Sequence, residues 1–188
     1  MIMKFKSYSM KLVEEVGDVI RRVDAGQVEK LVGMIMHTRR LFVEGRGRSG
    51  LMMSAFAIRL THLDIHCHVV GESTTPSLQP DDLLLIGSGS GETVTAVQAA
   101  KLAKTNNGIV AVLTSRHSST LAHICDHLVI IPAPVRETGD VETVSTIQPM
   151  GSLFEQTLLL LLDTIVLMLK DRLQQDEASM MARHSNLE

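Results

Sequence analysis

Four large apolar residues stand in succession at Leu83-Leu84-Leu85-Ile86 and run directly into Gly87-Ser88-Gly89-Ser90-Gly91-Glu92-Thr93. Side chains alternate sides along a strand, so a strand apolar at every position has no face to give to water. It must lie inside a parallel sheet covered on both sides. The surrounding pattern agrees: residues 40–45, 65–70, 82–88, 109–113 and 128–131 read as strands, with helical periodicity at 51–63, 93–105 and 120–123. Strands alternating with helices predict an α/β chain, a three-layer sandwich around a five-stranded parallel sheet. The order expected for it is the flavodoxin-like 2-1-3-4-5.

The flanks add helices. Met10, Val13, Val16 and Ile20 form one stripe of an N-terminal helix, and Gly26 separates it from a second short helix ending near residue 37. Residues 132–150 show no periodicity, a length that in a compact domain points to function or disorder. The next helix, 152–172, is apolar nearly all round, with Leu158-Leu159-Leu160-Leu161-Leu162 followed by Ile165-Val166-Leu167-Met168-Leu169. Such a helix must be buried on more than one side, and a second chain is the expected cover. One domain spanning 1–188 is expected: helices over 1–37, sheet core and closing helix over 38–173, and a frayed, mobile tail over 174–188.

Composition excludes several classes. With 18 Lys and Arg against 21 Asp and Glu, the formal charge of -3 argues against nucleic acid as a partner. One Tyr, four Phe and no Trp leave few stacking platforms. No secretory signal is legible at the N-terminus, and Asp163-Thr164 interrupts the most apolar stretch well short of the roughly 20 residues a bilayer span needs, so no membrane partner is expected. Cys67 and Cys125 give no disulfide framework and read as reduced, buried thiols of a cytoplasmic protein.

An anionic ligand must therefore be caught by local chemistry, and two loops offer it. Gly45-Arg46-Gly47-Arg48-Ser49-Gly50 follows a strand and opens a helix, as does the loop from Gly87 to Thr93. Glycines let backbone N–H groups approach an anion, the helix N-terminus adds donors and partial positive charge, and hydroxyls add more donors. The first loop also matches a dinucleotide fingerprint, with Glu72 as the ribose acid, but that reading leaves the second loop unexplained. Ser49, Ser90 and Thr93 have a plainer alternative as helix caps or starts. In the 2-1-3-4-5 order both loops flank the topological switch point, which favours a phosphorylated small molecule.

The strand-GRSG-helix, the strand-SGSGET-helix and the downstream Ile147-Gln148-Pro149-Met150-Gly151-Ser152-Leu153-Phe154-Glu155-Gln156 resemble the sugar isomerase (SIS) fold. With Arg59-Leu60-Thr61-His62-Leu63, they resemble in particular the 6-phospho-3-hexuloisomerases, over nearly the whole chain. The resemblance implies interconversion of 3-hexulose 6-phosphate and fructose 6-phosphate in formaldehyde fixation by the ribulose monophosphate pathway. It also implies a homotetramer and no cofactor or metal. Alternatives within the fold are isomerases of arabinose 5-phosphate or sedoheptulose 7-phosphate, and a non-catalytic sugar-phosphate sensor, for whose output module the chain has no spare length.

Moving a carbonyl between C2 and C3 needs a base that shuttles a proton through an enediolate. The resemblance implies Glu155 for that role, while Ser152-x-x-Glu155 ahead of an apolar run is also the capping-box signature. His62 is a candidate for ring opening, against the alternative of a helix-terminal His favoured by the dipole. Helical spacing puts Met52, Ala55, Arg59 and His62 on one side of Arg48. The expected substrate-binding set is Arg48, Ser49, Arg59, Ser88, Gly89, Ser90, Gly91, Glu92 and Thr93. A metal is not expected: His66 and His68 on a strand point opposite to Cys67, and His123 with His127 lacks the glutamate of a zinc-peptidase helix.

Overall fold

A computed structural model of the chain describes residues 2–135 and 145–186. Twelve elements occur among them: α1 (Ile2–Ile20), α2 (Ala25–His37), β1 (Leu41–Gly45), α3 (Gly47–His62), β2 (Cys67–Val69), β3 (Leu83–Gly87), α4 (Val94–Thr105), β4 (Ile109–Thr114), α5 (Thr120–Ile124), β5 (His127–Ile130), α6 (Ser152–Arg172) and α7 (Glu177–Ala182). The strands form one parallel sheet in the order β2-β1-β3-β4-β5. The expected α/β three-layer architecture is thus the one observed. The middle of the aperiodic stretch expected at 132–150, residues 136–144, lies outside the described residues.

Each strand divides its side chains between two cores. Leu41, Val43, Leu83, Leu85, Ala111, Leu113 and Val129 meet residues of α2, α3 and α6, with Val19 of α1. Phe42, Leu84, Ile86, Val110 and Val112 face the opposite way. There they meet Ala96, Ala100 and Ala103 of α4 and Leu121 of α5. The alanine face lets α4 lie close to the sheet, and β3 is buried at all five positions.

The β1–β3 register places Leu41 beside Leu83 and Gly45 beside Gly87, so the two central strands end level and both loops leave from one edge. The first loop turns into helix sooner than the sequence suggests, because α3 begins at Gly47 rather than near residue 51. Its tightness depends on Gly50: a Cβ there would lie 2.6 Å from the Gly45 carbonyl oxygen.

The closing helix is covered largely by this chain. Nine residues of α6 are buried, and it packs on α1, α2 and α3. Its length and composition alone would suffice to cross a membrane. Here its apolar surface is core, with Leu160 and Leu167 left exposed. Part of the tail is helical. Asp176 caps α7 through the Ser179 amide in a capping box, and Arg183 donates to the His62 carbonyl (3.2 Å), tying the segment to the end of α3.

Gly50→Ala should destabilise the fold by about 1–3 kcal/mol, the range for overpacking. Gly33→Ala, inside α2 where a Cβ meets nothing within 4 Å, should stabilise it by about 0.5–1 kcal/mol. Urea unfolding of the two variants checks both signs.

Candidate active site

The second loop is held in shape by bonds to the sheet edge and within itself. Ser88 continues the ladder through its N–H to the Leu113 carbonyl (3.0 Å). The Gly89 carbonyl is pulled down into the sheet edge by Ser115 Oγ (2.7 Å), Thr114 Oγ1 (3.1 Å) and the Ser115 amide (3.2 Å). Because the peptide is planar and trans, the following N–H, that of Ser90, points the opposite way. Gly91 has φ +66 and would bring a Cβ to 2.1 Å from Ser119 Oγ, so no other residue fits.

The capping alternatives for the hydroxyls fare differently from one another. Thr93 is the N-cap of α4 but makes no side-chain cap; its hydroxyl pairs with Ser88 Oγ at 3.1 Å. Ser49 is the third residue of α3, inside the helix rather than capping it. Ser90 Oγ accepts from the Glu92 amide (3.2 Å), a local turn bond. Glu92 spends both carboxylate oxygens on Thr120, accepting from its amide and its hydroxyl at 2.7 Å each. These bonds hold its carboxyl below the ordinary carboxylate range and join the loop to the first turn of α5.

Across the crevice, α6 starts at Ser152 after Met150 and Gly151, both in the left-handed region. The capping box read from Ser152 and Glu155 does not form. The N-cap is Gly151, with no side-chain cap, and Glu155 is one residue too far along. Its carboxylate is free for the crevice instead. Glu155 Oε2 stands 2.5 Å from Arg48 Nε, an ion pair whose geometry leaves Oε2 buried without an aligned hydrogen bond. Ser49, Gly89, Ser90 and Glu155 line a common cavity of about 200 Å³, joined by Val135, Met150, Gly151 and Phe154. Four of the expected site residues therefore meet, with Arg48 at their side.

Ser88, Gly91, Glu92 and Thr93 belong to the same loop without lining the cavity, and two further expected residues lie far from it. Arg59 and His62 sit at the other end of α3, His62 about 21 Å along the axis from Arg48 at 1.5 Å per residue. There they border a separate cavity of about 570 Å³ together with Lys170 and His184. His62 is buried, 3.4 Å from Arg59, with its ring stacked on His184 at 5.3 Å. Burial, then the Arg59 and His184 charges, lower its pKa, which favours the neutral ring.

The weak metal signals dissolve into ordinary contacts. His123 Nδ1 and His127 Nε2 lie 2.7 Å from the carbonyls of Ser119 and Gln27, and His68 packs on Phe42. No group of three or more metal-ligating residues occurs among the described residues. Burial pushes the Cys67 thiol up to about 12. The buried carboxylates Glu15, Glu44 and Asp82 escaped the sequence reading, Asp82 being paired with Arg40 at 2.6 Å. Glu44 at the end of β1 pairs with Arg46 Nε at 2.9 Å, and burial raises its pKa despite that cation. Glu15 lies on α1, and nothing in the spacing of Glu15 or Glu44 marks it.

Two glycine and hydroxyl loops at the carboxyl edge of a 2-1-3-4-5 sheet, with a carboxylate between them, define a phosphosugar-type SIS site. The chain belongs to the SIS domain family, whose match covers residues 34–160. It is 39% identical to the 3-hexulose-6-phosphate isomerase of Bacillus subtilis over 99% of this chain and 100% of that one. To the enzyme of the same name from Mycobacterium gastri it is also 39% identical, over 93% of this chain and 87% of that one. A Methanococcus jannaschii crystal structure, from which a molecular function of 3-hexulose-6-phosphate isomerase was inferred, superposes with a TM-score of 0.84 at 29% identity. That superposition covers 97% of this chain and 99% of the other.

The Glu92 bonds carry a pH signature. A carboxyl whose folded pKa is depressed stabilises the fold above its unfolded pKa, here the ordinary 4.5, and loses that contribution as pH falls through the folded value. Glu92→Ala should therefore be less stable than the parent near neutrality. The difference should shrink between about pH 6 and about pH 3, as thermal unfolding across that range would record.

Proposed function

We propose that the protein is a metal-independent 3-hexulose-6-phosphate isomerase, converting 3-hexulose 6-phosphate and fructose 6-phosphate into one another. The observation that carries the reading is the Glu155 carboxylate in the cavity shared by both loops. The relatives that bear this activity in their names span the chain almost completely.

In this reading the loop from Ser88 to Thr93 and the first turn of α4 hold the phosphate, using hydroxyls, backbone N–H groups and the helix dipole. Ser49 adds a hydroxyl from α3. Glu155 removes the proton from C2 of the 3-hexulose, and the electron pair forms the C2–C3 double bond of an enediolate. When the hydroxyl proton on O2 passes to O3 and the carbon-bound proton returns to C3, the carbonyl stands at C2, which is fructose 6-phosphate. Arg48 keeps the carboxylate aimed and supplies positive charge where the enediolate oxygens become negative.

His62 and Arg59 serve this site only from a second copy of the chain, given their distance from Glu155. A homotetramer is the assembly we expect, and two apolar surfaces are available to build it: Met3, Phe5, Tyr8, Met10 and Val13 on α1, and Leu160 and Leu167 on α6. Closed symmetry would bury such surfaces in pairs. Light scattering should give a mass well above the 20.6 kDa of one chain, and a stable monomer would exclude any role for His62 at the Glu155 site.

The decisive substitution is Glu155→Gln. The residue caps nothing, so stability should change by well under the ~1 kcal/mol of a lost cap. Turnover should fall by about 10²- to 10⁴-fold, the usual contribution of a positioned base, while fructose 6-phosphate still binds. A coupled assay with a chelator present measures both the loss and the metal independence. Near-normal turnover in the variant would remove Glu155 from the chemistry.

A further inference from the structure

The rim of the cavity is fastened to the N-terminal helix by a carboxylate that the proposed chemistry does not use. Glu15 is 5% exposed and accepts three hydrogen bonds from one short segment. They come from Thr146 Oγ1 (2.6 Å), the Ile147 amide (3.1 Å) and Gln148 Nε2 (3.1 Å). Thr146 Oγ1 in turn accepts from the Gln148 amide at 3.0 Å. Every group that Glu15 meets here is a donor, so the position demands a side chain that only accepts, which among the carboxyl and amide residues means an ionised carboxylate.

The segment is close to the site in the chain. Two and three residues beyond Gln148, Met150 and Gly151 line the cavity, and both hold left-handed backbone with φ 62 and 83. The Pro149 carbonyl accepts from the Ser152 amide (3.0 Å) and the Gly151 carbonyl from the Glu155 amide (3.2 Å). A turn this tight transmits a shift at 148 to 150–151. Glu155 is held separately, because its neighbours Leu153, Phe154, Thr157 and Leu158 are fully buried in the α6 packing.

We infer that Glu15 is a positioning residue for the sugar pocket, fixing the Met150–Gly151 rim through the Thr146–Gln148 segment. The inference rests on the reading of that cavity as the sugar-phosphate site. Burial works against the charge on Glu15, but the bonds from Thr146, Ile147 and Gln148 outweigh it and hold the carboxyl below the ordinary range. The clamp is therefore intact at neutral pH. Losing it loosens the rim and leaves the base in place, so affinity suffers and the chemical step does not.

Glu15→Gln keeps the shape but turns one acceptor into an NH₂ that faces donors. Calorimetry with fructose 6-phosphate should show Kd rising about tenfold, KM should rise in parallel, and kcat should stay within about threefold of the parent. A residue that merely stabilises the fold would lower the melting temperature and the amount of active enzyme with KM unchanged, and that result overturns the inference. Thr146→Val removes one of the three donors and leaves the charge, so it carries the test if Glu15→Gln does not fold. A several-fold rise in Kd supports the clamp, and parental affinity overturns it. Parent protein that binds fructose 6-phosphate without isomerising it overturns the proposed function and leaves the clamp to be judged on Kd. Parent protein that fails to bind it overturns both.

Discussion

Everything at the candidate site depends on the in-register pairing of β1 with β3. Leu41 pairs with Leu83, and four residues later Gly45 pairs with Gly87. Level strand ends put two glycine and hydroxyl loops side by side at the point where connections leave in opposite directions, α3 to one face of the sheet and α4 to the other. The crevice follows from topology. What makes it chemical is that α6 crosses the α3 face and starts at the same edge, so Glu155 arrives next to Arg48 and Ser49.

The sheet was legible because its strands are short, apolar on both faces and punctuated by glycine, a pattern with few other solutions. The reading of α6 was only partly right. Its all-round apolarity does require cover on several sides, but α1, α2 and α3 of the same chain supply most of it, and periodicity cannot say whose helices do the covering. Helix α7 was not legible because the Asp176–Ser179 capping box lacks a long apolar run to announce it.

At the site, loop chemistry was legible and long-range geometry was not. The two loops and Glu155 could be collected from sequence because each motif is local. Helical spacing correctly put Arg59 and His62 on α3, but a shared helix face says nothing about distance along the axis, and those residues lie two-thirds or more of a helix of about 24 Å away from Arg48 at 1.5 Å per residue. Glu15 and Glu44 illustrate the opposite failure. Each is a charged residue in an otherwise ordinary helix or strand, and its burial arises from partners more than a hundred residues away for Glu15 and from the closing of the loop for Glu44. The S-x-x-E signature misled for a related reason: the left-handed Met150–Gly151 turn moves the helix start by one residue, and one residue decides whether a glutamate caps its helix or faces a substrate.

In the proposed reading this crevice moves a proton between C2 and C3 of a ketose phosphate. Fructose 6-phosphate incubated with the protein in deuterated water and followed by proton NMR tests it most directly. A second ketose phosphate with its carbonyl at C3 should appear, together with loss of the C3 hydrogen signal of fructose 6-phosphate. Fructose 6-phosphate recovered unchanged, with that hydrogen intact and no second ketose, would contradict it.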